Sequence, residues 1–171
     1  MKRHAVALVL AAGVAFSAAP PARAQADALA SAHDALKAGD LAAAAQGHRD
    51  YLRTSPDAPD APREGMHLAF ILDKMKAPTA EVSEAFAYVA RRYPSAPEAG
   101  ECLYRTGLLR LREKDVPGAK AVFARVPVEH PGTPGAAMAR FSLANYPARE
   151  GRFDEAIALF DEIASDPSTP T

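Results

Sequence analysis

The sequence predicts an all-α protein in which helical hairpins stack side by side as a repeat solenoid, and three observations predict it. Prolines 56, 94, 131 and 167 fall 38, 37 and 36 residues apart. Ala44, Val82 and Ala119 stand twelve residues before the first three of them, and Ala156 stands eleven before the fourth. Four residues after these positions come His48, Phe86, Phe123 and Phe160, and three further on Tyr51, Val89, Val126 and Ile163. Positions 0, +4 and +7 share one face of an α-helix, so the pattern marks a helix packed on its neighbour in an array. Period-two alternation of β-branched residues and hairpin turns between such runs are both missing, which removes support for strands. Phe86, Phe123 and Phe160 are therefore expected in the core rather than in an aromatic ligand box.

The elements follow in order. Lys2, Arg3 and His4 precede a charge-free apolar stretch, and Ala22-Arg23-Ala24 puts small residues where a signal peptidase reads them. Segment 1–24 is thus expected to be a signal peptide cleaved after Ala24. Its apolar run of about fifteen residues is shorter than the roughly 20 a membrane-spanning helix needs, which sets a cleaved signal ahead of an uncleaved anchor. No cysteine follows the small residues, so no lipoprotein signal is expected.

The domain 25–171 is expected to hold repeats at about 26–58, 62–95, 96–132 and 133–167. Repeat one reads as helices 26–38 and 41–53 around Gly39-Asp40. Repeat two reads as 62–76 and 80–92 around Ala77-Pro78-Thr79. Repeat three runs over 96–114, breaks at Asp115-Val116-Pro117 and resumes to about 126; repeat four runs over 134–149, breaks at Glu150-Gly151-Arg152 and resumes to about 165. Ser95-Ala96-Pro97-Glu98 has the form of a capping box. Asp60 and Thr133 stand as caps near prolines that suit a first helical turn, and Asp40 and Thr79 cap second helices. Prolines 94, 131 and 167 stop the preceding helices by pushing the residue before them out of the α region. Pro127 and Pro147 fall inside helical stretches and are expected to shorten or kink their ends.

Removal of 1–24 leaves 17 Lys and Arg against 21 Asp and Glu, a net charge of −4. Nucleic acid is not expected as a partner, because binding phosphates requires a clustered positive surplus. About 147 residues suffice for one domain or a short solenoid. Cys102 is the sole cysteine, so it is either a packing residue or one half of an intermolecular disulfide.

Tests for catalysis fail. His33, His48, His67 and His130 include no pair three or four apart, and no His-Glu-x-x-His or Cys-x-x-Cys occurs, so the spacing predicts no metal and no cofactor. A Gly-x-Ser-x-Gly elbow and a Gly-rich phosphate loop are missing. Asp154-Glu155 and Asp161-Glu162 read as solvated charge on the last helix. No catalytic residue is assigned, and the chain is not expected to be an enzyme.

The alanine, aromatic, aliphatic and proline of each second helix, with Ala32, Gly107 and Ala144 as small first-helix residues, resemble tetratricopeptide repeats. Phe70 departs from that small position, His48 replaces the usual aromatic, and the turn of repeat two is degenerate. The resemblance implies a right-handed superhelix. The repeat length and the Tyr93-Pro94-Ser95-Ala96-Pro97 junction are similar to bacterial envelope members of the family, including the Tol-Pal-associated and outer-membrane-assembly proteins. That implies a periplasmic interaction scaffold, or alternatively a non-catalytic accessory subunit of an outer-membrane-assembly or cell-wall machine. No integral membrane segment is expected after signal cleavage.

The family's concave groove is lined by first helices. Projecting its register gives His33, Leu36 and Lys37, then His67, Ile71, Lys74 and Met75, then Tyr104, Leu108, Leu111 and Arg112, and finally Phe141, Asn145 and Arg149. Lys37, Arg112 and Arg149 share one register with Lys74 one residue off it, so an apolar floor edged by a basic row is expected to take a protein or peptide partner of acidic character. The alternative is that these basic residues only complement helix C-termini. Asn145 alone matches a carboxylate clamp, so that subtype is not expected. The apolar side of the last helix, with Ile157, Phe160 and Ile163, is expected to need cover, through self-association or through a longer chain.

Overall fold

The computed structural model describes residues 22–165, within which the chain forms eight α-helices and no strand. These are α1 (Ala22–Ala38), α2 (Leu41–Thr54), α3 (Ala61–Lys74), α4 (Thr79–Arg92), α5 (Pro97–Arg112), α6 (Val116–Glu129), α7 (Pro134–Arg149) and α8 (Phe153–Ser165). Consecutive helices pack together, giving four hairpins in a row. Most of the expected signal segment and the closing Pro167 lie outside the described residues.

The four hairpins turn by one mechanism. Gly39, Lys76, Lys114 and Gly151 occupy equivalent positions and all have positive φ, at 81°, 58°, 65° and 77°. The next N–H reaches back five residues each time: Asp40 to Ala35 O, Ala77 to Leu72 O, Asp115 to Arg110 O and Arg152 to Pro147 O, all at 2.9–3.0 Å. This is the Schellman closure, in which a left-handed residue lets the chain satisfy the last helical carbonyls. Repeat two, degenerate in sequence, therefore closes like the others. The expected first helices ended too late, at Lys76 and Lys114, because those lysines take the position that glycine holds elsewhere.

A left-handed lysine carries a steric cost that glycine avoids. Lys114→Gly is expected to raise stability by about 0.5–1 kcal/mol, net of glycine's greater unfolded-state freedom. Urea unfolding followed by circular dichroism checks this, and an unchanged or lowered midpoint would contradict it.

The junctions between hairpins also repeat. Ser55, Tyr93 and His130, each just before a proline, leave the helix with φ between −127° and −135°, and each N–H still bonds the carbonyl of Tyr51, Val89 or Val126. The proline thus ends the helix by displacing its predecessor from α geometry. Successive junctions are tied together: Tyr93 Oη donates to Pro56 O at 2.8 Å, and His130 Nδ1 donates to Pro94 O at 3.2 Å.

Local expectations divide. Asp40 and Thr133 cap their helices through Ala43 N and Ala136 N. The capping box at Ser95 does not form: Ala96 is the N-cap of α5 and supplies no side chain. Pro78, not Thr79, is the N-cap of α4. Asp60 is the N-cap of α3 without bonding its backbone, since its carboxylate accepts from Tyr51 Oη. Pro127 and Pro147 do not end their helices, as α6 and α7 each run two residues further. A proline so near the C-terminus removes one backbone bond where few remain to be lost.

The repeat stripe is the core. Ala44, Val82, Ala119 and Ala156 are buried, as are Tyr51, Val89 and Val126, and Phe86 and Phe123 are fully enclosed. Phe160 and Ile163, in the last helix, are half-buried. Cys102 is fully buried and its thiol is pushed up to about 12 by desolvation, so it is a packing residue. One large cluster joins α3 to α7, whereas Ala44, Ala45 and Ile71 form a separate small one between repeats one and two.

Candidate functional site: the inner helix row and a histidine cluster

Helix α5 touches both α3 and α7, while α4, α6 and α8 do not touch one another. The first helices of these repeats consequently form the inner row. Polar contacts cross it: Arg112 donates to both carboxylate oxygens of Asp73, at 2.6 and 3.2 Å, and Tyr104 Oη lies 3.2 Å from Ser142 Oγ. The Arg105 guanidinium stands 4.9 Å from the centre of the Phe70 ring.

The residues projected onto a groove fall into several environments. Lys37, Lys74, Met75, Arg112, Phe141 and Arg149 are exposed. Tyr104, Leu108, Leu111 and Asn145 are half-buried, with Tyr104 stacked 5.3 Å from the Phe123 ring and Asn145 Nδ2 bonded to Phe141 O. Ile71 is buried in the small core and lines nothing. The basic row is partly neutralised internally, since Lys37 pairs with Asp34 and Arg112 with Asp73. The guanidinium of Arg112 holds the Asp73 carboxyl below its usual range. Phe141 is 56% exposed with its ring 5.3 Å from Phe160, and Phe153 and Ile157 of α8 are also open to solvent.

A second constellation was not expected. Three of the four histidines among the described residues, one from each of α1, α2 and α3, converge on Glu64 of α3. His33 Nε2 is 2.9 Å, His48 Nδ1 3.2 Å and His67 Nδ1 3.3 Å from the same oxygen, Glu64 Oε2. The ring centres stand 5.3, 5.9 and 6.1 Å apart. Arg63 Nε bonds the other oxygen, Oε1, at 3.1 Å. Glu64 and His48 are both 0% exposed. Neither ring nitrogen of His48 meets hydrogen-bond geometry, although Nδ1 lies 3.2 Å from Glu64 Oε2. Burial alone would raise the Glu64 carboxyl, but the surrounding histidines and Arg63 outweigh it and hold the group well below the usual carboxylate range, so it is ionised.

Spacing within one helix cannot reveal this cluster, because its three histidines come from three helices. Two signals were nevertheless in the text. His48 takes the core position filled by phenylalanine in the other repeats, and Glu64 lies three residues before His67, on the same helical face. His130 is apart, serving the junction to Pro94.

No protein-family model matches the sequence, and no curated protein does. Among solved structures the chain is similar to the crystal structure of a tetratricopeptide repeat protein from Parabacteroides merdae, with a TM-score of 0.63 at 14% identity. The match covers 85% of this chain and 56% of that one, so this chain spans little more than half its length. The likeness shows the fold: helical hairpins stacked as a tetratricopeptide-like solenoid.

Proposed function

We propose that the chain is a non-catalytic scaffold of the periplasm that holds an acidic segment of a partner protein along its inner helix row. The observation that carries this reading is the set of cations left over there. Lys74 and Arg149 have no acidic partner among the described residues, while Lys37 and Arg112 already have theirs. They flank a surface that also offers Met75 and the open ring of Phe141. An extended or helical peptide with carboxylates beside apolar side chains complements that arrangement. Export to the periplasm is supported by the charged start, apolar run and Ala-Arg-Ala of the first 24 residues.

The test is fluorescence anisotropy with leucine-containing acidic peptides and their lysine-substituted counterparts. Lys74→Glu/Arg149→Glu leaves every internal ion pair of the row intact. It is expected to weaken acidic-peptide binding at least about tenfold, as opposed charges become like ones. Equal binding by the double variant, or equal affinity for the basic peptides, would defeat the reading.

A further inference from the structure

We propose that His33, His48, His67 and Glu64 form a binding site for one divalent transition-metal ion of the zinc class, which fastens the first repeat to the second. The four donor atoms lie within 4.8 Å of one another. A tetrahedral zinc ion with bonds of about 2.0–2.2 Å spaces its ligands roughly 3.3 Å apart. The three separations from Glu64 Oε2 to histidine nitrogens, 2.9 to 3.3 Å, are already close to that value. Small side-chain rotations would bring the nitrogens nearer one another. Three imidazoles and one carboxylate suit zinc and its neighbours, whereas magnesium and calcium prefer all-oxygen shells.

Three further observations point to a ligand. The His48 ring is fully buried, with no partner at Nε2 and with Nδ1 close to Glu64 Oε2 but outside hydrogen-bond geometry, an arrangement that costs free energy and that a metal bond to Nδ1 would relieve in part. Arg63 holds Glu64 Oε1 and so presents Oε2 to the histidines, the kind of outer contact that orients a metal ligand. The His33 and His67 side chains are 35% and 38% exposed, which leaves an entry path on one side of an otherwise closed site.

The location gives the site a purpose. Helices α1 and α3 make no backbone-level contact, and the apolar cluster between repeats one and two is far smaller than that of the later repeats. An ion held by α1, α2 and α3 would supply the cross-link that this interface lacks in hydrocarbon. Among the described residues the first repeat packs against the second alone, and a repeat held by one neighbour is where such a clip has most effect.

Tag-free protein titrated calorimetrically with zinc is expected to bind one ion per chain, and its thermal midpoint is expected to rise with zinc but not with magnesium. Cobalt in place of zinc should give the strong visible bands of a tetrahedral site. His33→Ala/His67→Ala, altering the two half-exposed ligands, is expected to cut zinc affinity at least 100-fold. His48→Phe installs the residue of the other repeats and so guards against misfolding; it should keep native helicity yet lose at least about tenfold in affinity. Absence of stoichiometric zinc binding would overturn the site and leave a purely hydrogen-bonded cluster. So would zinc affinity unchanged in the folded variants, which would mark adventitious surface binding.

Discussion

Phe123→Ala is expected to lower stability by about 3–5 kcal/mol, the range found when a fully enclosed phenylalanine is emptied from a core. The ring has no solvent exposure. It lies against Gly107 of α5 so closely that a Cβ on that glycine would come within 2.4 Å of Phe123 Cε1. Tyr104 covers it from 5.3 Å. The phenylalanine fills the space that the small first-helix residue vacates, and α5 and α6 are fixed backbones on either side, so the void cannot collapse cheaply. A domain of this size has a total of roughly 5–15 kcal/mol to lose. Urea denaturation should show most of the margin gone, and a loss below about 1.5 kcal/mol would mean that the site repacks.

The second large effect is expected from addition of a single methyl group. A Cβ at Gly135 would stand 2.2 Å from the carbonyl carbon and oxygen of Gly100 and 2.4 Å from Glu101 N. All three atoms are backbone, so no rotamer change relieves the overlap and α7 must move off α5. Gly135→Ala is expected to destabilise by about 2–3 kcal/mol through this overpacking, although alanine is the better helix former. Because α5 and α7 belong to the inner row, the acidic-peptide binding proposed above should weaken as well. Wild-type stability in the variant would show that the two helices are not in such close contact.

The fold was legible because its signal is redundant. The Ala44, Val82, Ala119 and Ala156 register, repeated with its aromatic and its proline, states one helix four times, and the buried stripe follows it. Helix ends were less legible where one residue type stood in for another. Lys76 and Lys114 adopt a conformation associated with glycine, and Ser95 lost its cap to the proline-led start at Ala96. The groove was only partly legible, since charges count as available only after pairs such as Arg112 with Asp73, 39 residues apart, are known. The histidine cluster was hidden for a related reason. Its members are separated by 15, 16 and 3 residues, intervals that carry meaning only once three helices are set side by side. His48 in a phenylalanine slot was the available clue.

The one-sided contact between successive repeats has a mechanical consequence. From α3 to α7 the inner backbones abut, whereas α2, α4, α6 and α8 make no backbone-level contact with one another and are bridged by long side chains, as Arg49 of α2 is to Glu81 of α4 at 3.1 Å. In a ribbon jointed in this manner, as in a leaf spring, a change of radius about the inner seam would stretch only a few exposed ion pairs, each worth at most about 1 kcal/mol. Such a change of radius would leave undisturbed the hydrocarbon that keeps each hairpin intact.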